Sequence, residues 1–140
     1  MKMSEIKKAV ICVDDDPMIL QVLGFQLEKL IDSSETMIEL YTNPLKALTD
    51  IKEFTFDEME IVFLIVDYQM PEMSGANFIR SLKKSHKNIP CVMLSGQANS
   101  NQVRALEQEG YLEIFLHKPW EESQIHDLIK KFINETSHEK

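Results

Sequence analysis

Residues 9–17 have the sequence Ala-Val-Ile-Cys-Val-Asp-Asp-Asp-Pro, in which a short apolar run ends at three consecutive acids. Such a run, rich in β-branched residues, indicates a buried strand. Asp16 is a natural N-cap and Pro17 favours the first turn of a helix, so a helix is expected to begin directly after the acids. This strand–turn–helix unit predicts an α/β fold in which Asp14 and Asp15 lie just beyond the carboxyl end of a strand.

The same alternation of short apolar runs and longer segments of helical period occurs five times along the chain. It predicts a parallel sheet with helices on both faces, which is a doubly wound α/β fold in three layers. The predicted strands are Lys8–Val13, Met37–Tyr41, Ile61–Val66, Pro90–Ser95 and Ile114–His117. Asn43-Pro44 and Ser74-Gly75 indicate the starts of the second and third helices.

The helical segments differ in how much apolar surface they offer to a core. The first has a stripe at helical spacing formed by Leu20, Leu23, Leu27 and Leu30. The last has a similar stripe formed by Ile125, Leu128, Ile129, Phe132 and Ile133. The segment Asn99–Gly110 has few apolar residues and predicts a weakly docked helix, and we expect Phe54–Glu60 to be a solvated acidic loop.

Length and charge limit the class of protein. A chain of 140 residues predicts one domain, with a core over about residues 7–134 and short polar tails. Its net charge of -8 argues against direct binding to nucleic acid or an anionic membrane, since both select basic surfaces. No apolar stretch is long enough to span a bilayer and the first residues lack a signal-peptide core, so we expect a cytoplasmic location.

The two cysteines, Cys12 and Cys91, lie in the first and fourth predicted strands. In a doubly wound order the third strand separates them, and two strand spacings of about 5 Å each exceed the reach of a disulfide. We therefore expect free, buried thiols, as in a reducing compartment. The four histidines are scattered without the spacing of zinc ligands.

Polar side chains follow the predicted strands at the points where those strands end. They are Asp14 and Asp15, Asp67, Ser95 and Lys118. Because the carboxyl ends of parallel strands meet at one edge, these side chains should gather there. A set of carboxylate oxygens favours Mg²⁺ or Mn²⁺, and an amine and a hydroxyl opposite the acids suit a phosphoryl group. Asp67 is the isolated acid and therefore the candidate nucleophile.

Taken together and in this order, these features resemble the receiver domain of two-component response regulators. The matching stretches, spread over nearly the whole chain, are Ala9–Pro17, Leu64–Gly75, Val92–Gly96 and Phe115–Trp120. The resemblance implies a flavodoxin-like (βα)₅ sandwich with sheet order 2-1-3-4-5. It also implies a signalling phosphoacceptor, not an enzyme, that takes its phosphoryl group from a sensor histidine kinase or a phosphotransfer protein.

The resemblance assigns roles to the residues at the strand ends. Asp67 would accept the phosphoryl group and bind the metal. Asp15 would bind Mg²⁺ directly, with Asp14 acting through water or as a second acidic ligand. The backbone carbonyl of Gln69 would complete the protein ligands, and Lys118 would pair with the phosphoryl oxygens.

By the same resemblance, Ser95 and Phe115 match the family's switch pair. The Ser95 hydroxyl would move onto the phosphoryl group and the Phe115 ring would turn inward. The peptide between Lys118 and Pro119 is expected to be cis. The change would reach the face formed by the fourth helix, fifth strand and fifth helix, where a downstream effector protein or domain, or a second copy in a homodimer, would bind.

Some positions depart from the common pattern of the family. Gly96 stands where many members have Ala, which would loosen the loop after Ser95. One extra residue separates Gly110 from Phe115, and Phe115 lacks the hydroxyl of the frequent Tyr. The side chains of Gln69 and Gln97 could position or obstruct a hydrolytic water, although exposed amides without that role are the plainer interpretation.

Two other classes remain open from the residues alone. A pseudo-receiver would bind partners without phosphorylation, but such domains usually lose an acid or the lysine, and this chain keeps both. A dehalogenase-like phosphatase could use Asp14-Asp15-Asp16 as an Asp-x-Asp motif. That class needs Thr or Val where Met18 stands, and usually a cap insertion that this length excludes.

Overall fold

Strands and helices alternate along the chain in the computed structural model, which describes residues 6–96 and 101–134. The strands are β1 (Lys8–Val13), β2 (Thr36–Tyr41), β3 (Glu60–Asp67), β4 (Cys91–Ser95) and β5 (Ile114–His117). The helices are α1 (Pro17–Glu28), α2 (Pro44–Phe56), α3 (Gly75–Lys83), α4 (Asn101–Gln108) and α5 (Glu122–Ile129). A wider π-helical turn over Lys130–Asn134 extends α5.

The sheet is parallel and has the order β2-β1-β3-β4-β5, so the predicted doubly wound, flavodoxin-like fold is confirmed. The strands are in register at their carboxyl ends: Val13 pairs with Tyr41 on one side and with Val66 on the other. From β1 the chain adds β2 on one side and then β3 to β5 on the other, so the strand order switches between β1 and β3, and ligands of such sheets bind outside the strand ends at that point.

Apolar side chains fill both spaces between sheet and helices. Under α1 and α5 they include Leu20, Leu23 and Leu27 of the first predicted stripe and Ile125, Leu128 and Ile129 of the last. Under α2, α3 and α4 they include Ala47, Ile51, Phe78, Ile79 and Leu106. β3 is buried on both faces from Ile61 onward, as is typical of a central parallel strand.

The helix starts follow the predicted capping residues. The side chain of Asp16 accepts a hydrogen bond from the backbone N–H of Met18 and begins α1. Asn43 and Ser74 cap α2 and α3 in the same way. Each cap satisfies a backbone donor that the first helical turn leaves without an intrahelical partner, which fixes where the chain turns from strand end into helix.

The prediction of a loop over Phe54–Glu60 is wrong in its first half, because α2 continues through Phe56. The Thr55 hydroxyl donates to the carbonyl of Ile51, and the half-buried Phe54 packs against the core, so this turn stays helical. The helix ends at Phe56, and Glu58 beyond it has a φ of 65°, which lies in the left-handed region.

The two cysteines agree with the expectation from the sequence. Cys12 and Cys91 are both free and buried, as predicted. Within residues 6–96 and 101–134, no helix combines the length and the apolar character that crossing a bilayer would require.

Candidate phosphoryl and metal site

The carboxyl edge of the sheet brings the predicted acids together. Carboxylate oxygens of Asp14, Asp15 and Asp67 all lie within 4.8 Å of one another. Asp14 follows β1 and is fully buried, Asp67 is the last residue of β3 and is buried, and Asp15 is exposed. One edge of the cluster is therefore open to solvent and to a ligand.

Local hydrogen bonds fix the orientation of Asp14. Its backbone N–H donates to the carbonyl of Tyr41 at 3.0 Å, and its Oδ1 accepts from the backbone N–H of Asp16 at 2.9 Å. Its Oδ2 is buried and has no hydrogen-bond partner among the residues that the structure describes. Burying a carboxylate oxygen without a hydrogen bond raises the free energy of the folded protein unless a cation lies nearby.

Lys118 supplies one cation to the cluster. Its Nζ lies 2.8 Å from Oδ1 of Asp67 and 3.0 Å from Oδ2 of Asp14. The contact with Asp14 is an ion pair, and Asp14 Oδ2 has no hydrogen-bond partner among the described residues. The backbone N–H of Lys118 donates to the carbonyl of Ser95 at 2.9 Å, which ties the ends of β4 and β5 together.

The charges of the cluster shift the acid–base behaviour of its members. Burial raises the pKa of Asp67, and the neighbouring charges of Asp14 and Asp15 act in the same direction while Lys118 opposes them. Burial alone would favour the neutral amine of Lys118, but its contacts with Asp67 and Asp14 outweigh burial and raise its pKa. The site therefore holds more negative charge than one ammonium can balance.

The loop after β3 is held against the rest of the edge by backbone contacts. The N–H of Tyr68 donates to the carbonyl of Leu94 at 2.9 Å, and the N–H of Gly75 donates to the carbonyl of Tyr68 at 2.7 Å. Gln69 is exposed in this loop, two residues beyond Asp67. The loop that would offer the Gln69 carbonyl is thus anchored at both ends.

The remaining predicted site residues lie on β4, on β5 and in the turn after β5. Ser95 is buried at the end of β4. Phe115 is half-buried on β5, and its ring lies perpendicular to the His117 ring at a centroid distance of 5.0 Å. The Lys118–Pro119 peptide is cis. Gln97 lies outside the residues that the structure describes.

Two features of the site were not predicted from the sequence. Gly75 lies so close to the Asp67 carbonyl that a Cβ at Gly75 would overlap it. The indole N–H of Trp120 donates to Oε1 of Gln26 at 2.8 Å and links the turn after β5 to α1. For Gly75, the sequence indicates only a helix start at Ser74-Gly75. The contact between Gly75 and the Asp67 carbonyl is seen only in the folded structure.

The comparisons with known proteins agree with this fold. A family model of the response regulator receiver domain matches residues 10–130. Since this range is most of the chain, the chain belongs to the response regulator receiver domain family. Members of this family are signalling modules of two-component systems, in response regulators and within histidine kinases.

Individual relatives match along most of this chain. The histidine-protein kinase BarA of Shigella flexneri is 28% identical over 134 residues, which cover 92% of this chain and 13% of BarA. The two-component response regulator ORR5 of Oryza sativa subsp. japonica is 29% identical over 126 residues, covering 89% of this chain and 87% of ORR5. The chain thus spans nearly all of ORR5 but only a small part of BarA.

A solved structure supports the fold independently. The chemotaxis protein CheY4 of Vibrio cholerae superimposes with a TM-score of 0.73 at 20% identity, covering 90% of this chain and 98% of CheY4. At this identity the similarity concerns the fold, so the function has to be argued from the site itself.

Proposed function

We propose that this chain is a phosphoacceptor receiver in which Asp67 takes a phosphoryl group from a phosphohistidine of a sensor kinase or phosphotransfer protein. The observation that carries the proposal is the 2.8 Å contact between Lys118 Nζ and Asp67 Oδ1 within a cluster of three carboxylates. A nucleophilic acid next to an ammonium, at the open edge of a parallel sheet, suits transfer of an anionic phosphoryl group.

The residues present fit a divalent cation. Three ionised carboxylates and one ammonium would leave two negative charges, and the buried Oδ2 of Asp14 has no hydrogen-bond partner among the described residues. Asp14, Asp15, Asp67 and the backbone carbonyl of Gln69 would hold Mg²⁺ or Mn²⁺ as oxygen ligands. When bound, the ion would neutralise charge on the phosphoryl oxygens.

The transfer step balances with the groups at hand. A carboxylate oxygen of Asp67 attacks the phosphorus, a P–O bond forms, and the P–N bond to the donor imidazole breaks with its electron pair left on nitrogen. The Lys118 ammonium, now beside Asp67, would pair with the transferred phosphoryl oxygens. Hydrolysis of the acyl phosphate by water would return Asp67 to its free carboxylate.

The proposed output is a change of protein contacts. The Ser95 hydroxyl would turn to the phosphoryl group and the Phe115 ring would turn inward, altering the face formed by α4, β5 and α5. The backbone bond from Lys118 to Ser95 supports this coupling, because it joins the phosphoryl-binding residue to the switch residue. An effector protein or domain, or a second copy of the chain, would bind that face.

We place the protein in the cytoplasm as part of this proposal. The two free, buried thiols support a reducing compartment. In this role the chain turns over no substrate of its own, and assists only its own phosphorylation and dephosphorylation.

The test is intact-mass spectrometry after incubation with Mg²⁺ and acetyl phosphate. We expect a labile adduct of about 80 Da, the mass of one phosphoryl group, on the parent protein. Asp67→Asn should give no adduct. Asp16→Asn is the matched control, because Asp16 is an exposed N-cap outside the cluster and Asn retains the capping oxygen.

An adduct of equal yield on Asp67→Asn would refute the assignment of Asp67. The parent protein without any adduct, from acetyl phosphate and from a phosphorylated histidine kinase alike, would refute the phosphoacceptor role and leave the pseudo-receiver class.

A further inference from the structure

A groove lies between α2 and the end of α3, at the amino edge of the sheet and away from the carboxylate cluster. Its cavity of about 340 Å³ is lined by Lys52 and Lys84, by the hydroxyls of Thr49, Ser81 and Ser85, and by His86. No carboxylate is among the described residues that line it. In a chain with 23 acidic and 15 basic residues, an acid-free pocket with two lysines is a local reversal of charge. Such a pocket suits an anion.

Hydrogen bonds hold the two walls of this groove together. The Thr55 hydroxyl donates to the carbonyl of Ile51 at 3.0 Å, so the Thr55 oxygen accepts from Nε2–H of His86, also at 3.0 Å. The Ser85 hydroxyl then donates to Nδ1 of His86 at 3.0 Å. This chain of bonds connects α2 to the segment after α3, so the groove is formed before any ligand arrives.

A buried ammonium fixes the second wall. Lys83 is 4% exposed, and its Nζ donates to the carbonyls of Lys87 at 3.1 Å and Ile89 at 2.6 Å. These bonds hold the turn that carries Lys84 and His86.

An exposed aromatic ring continues the groove along α2. A neighbouring cavity of about 500 Å³ shares Thr49 and Lys52 with the first and is lined further by Phe56, Glu53 and Asp57. Phe56 is 86% exposed. It follows Lys52 by four residues, a rise of about 6 Å along the helix, so the ring and the ammonium lie on the same side of α2.

This combination selects a class of ligand. The Lys52 and Lys84 ammonium groups and the Ser81 hydroxyl can donate to a phosphate group, and an exposed phenyl ring suits a planar heterocycle that stacks on it. The carboxylates of Glu53 and Asp57 can accept hydrogen bonds from sugar hydroxyls or exocyclic amines.

We propose that the α2–α3 groove binds a nucleotide, with its phosphate against Lys52 and Lys84 and its base stacked on Phe56. The proposal is independent of phosphorylation at Asp67, because none of the residues that line the groove belongs to the carboxylate cluster.

The test is a titration of ¹⁵N-labelled protein, in Mg²⁺-free buffer, with the four ribonucleoside 5′-monophosphates, their nucleosides and inorganic phosphate. We expect saturable amide shifts in α2 and residues 81–87. At least one monophosphate should bind about tenfold more tightly than its nucleoside and than phosphate, since it makes both contacts.

Substitutions separate the two contacts. Lys52→Gln with Lys84→Gln should weaken nucleotide binding about tenfold or more, and Phe56→Ala should bring nucleotide affinity down to that of phosphate. Lys46→Gln is the matched control, because Lys46 is on the same helix but pairs with Asp50 outside the groove. It should leave the affinity within about twofold.

Three results would overturn the proposal. The first is the absence of saturable shifts with all four monophosphates. The second is an equal loss of affinity in Lys46→Gln, which would mean nonspecific attraction. The third is equal binding of phosphate and nucleotides with no effect of Phe56→Ala, which would leave an anion site without a base contact.

Discussion

The backbone of Asp67 and the Cα of Gly75 are in direct contact, and a Cβ at Gly75 would overlap the Asp67 carbonyl oxygen. The same Cβ would lie 3.0 Å from the carbonyl carbon of Asp67 and 3.0 Å from the Cα of Tyr68. Gly75 also donates its N–H to the carbonyl of Tyr68. The start of α3 thus sets the position of the residue that we propose as phosphoacceptor.

Gly75→Ala is therefore expected to move the Asp67 backbone while the fold persists. We expect the initial rate of adduct formation with acetyl phosphate to fall at least about tenfold, because a misplacement of about 1 Å at a reacting group is costly. The measurement is the rate from intact-mass time courses, with circular dichroism to verify the fold.

Gly96→Ala is the control for that substitution. Nothing in the described structure lies within 4 Å of a Cβ at Gly96, so the rate should remain within about threefold of the parent. Equal rates for the Gly75 and Gly96 variants would contradict the steric role of Gly75.

Asp67→Asn should stabilise the metal-free protein. Burial and neighbouring acids raise the pKa of Asp67, so ionising Asp67 costs more in the folded protein than in the unfolded chain, and stability is lost as the pH rises from the ordinary aspartate pKa through the raised one. A neutral isostere removes this cost, and we expect a gain of about 1 kcal/mol in the free energy of unfolding. Thermal melts in a chelating buffer should show a rise of about 4 °C.

In the same melts Asp16→Asn should shift the midpoint by less than about 1 °C, because its capping oxygen is retained. A lower midpoint for Asp67→Asn than for the parent would mean that the Lys118 contact outweighs burial and repulsion.

The thiols should be unreactive in the folded protein. Burial raises the pKa of Cys12 and of Cys91 to about 12. We expect a disulfide reagent at pH 8 to label far less than one thiol in native protein and both thiols in guanidinium. Labelling of Cys12 or Cys91 in the native state would contradict their burial.

The raised pKa values of the two thiols also determine whether the free energy of unfolding rises or falls with pH. An unfolded thiol loses its proton near pH 8.5, whereas the folded ones keep theirs to about pH 12, so unfolding releases protons in between. Stability from this source is complete below about pH 8.5 and falls by up to about 1.4 kcal/mol per pH unit per thiol above it. The double variant Cys12→Ala/Cys91→Ala should lack this component in urea titrations.

Glu58→Gly should stabilise the protein. Glu58 has a φ of 65°, which costs an L-residue with a Cβ roughly 1 kcal/mol and costs glycine little. We expect the urea midpoint to rise by the equivalent of about 0.5–1 kcal/mol. Glu60→Gly, in a strand rather than in a left-handed turn, should lower it, and a loss in both variants would contradict the strain at Glu58.

The sequence was sufficient to predict the sheet and the meeting of the three carboxylates with Lys118, because both depend on where strands end in the sequence. Apolar runs ended where acids, a hydroxyl or a lysine began, and parallel strands bring such ends to one edge. The capping residues Asp16, Asn43 and Ser74 also act within a few residues of themselves. Interactions between residues close in the sequence therefore determine the strand ends and the helix starts.

Features that depend on contacts between distant segments were missed. The Phe54-Thr55-Phe56 turn has poor helix propensity, yet core packing by Phe54 and the Thr55 hydrogen bond keep it helical. The sequence indicates a helix start at Gly75, but it does not show that Gly75 packs against the Asp67 backbone. The groove joins Lys52 to Lys84, which only the packing of α2 against α3 brings together.

The central claim is that Asp67 is the residue that becomes phosphorylated. Protein incubated with Mg²⁺ and acetyl phosphate should be reduced with borohydride, which converts an aspartyl phosphate to homoserine, and then sequenced by tandem mass spectrometry. We predict homoserine at position 67 and at none of the other acids of the cluster. Homoserine at position 14 or 15 with residue 67 unchanged, or no conversion under conditions that phosphorylate a known receiver, would contradict the claim.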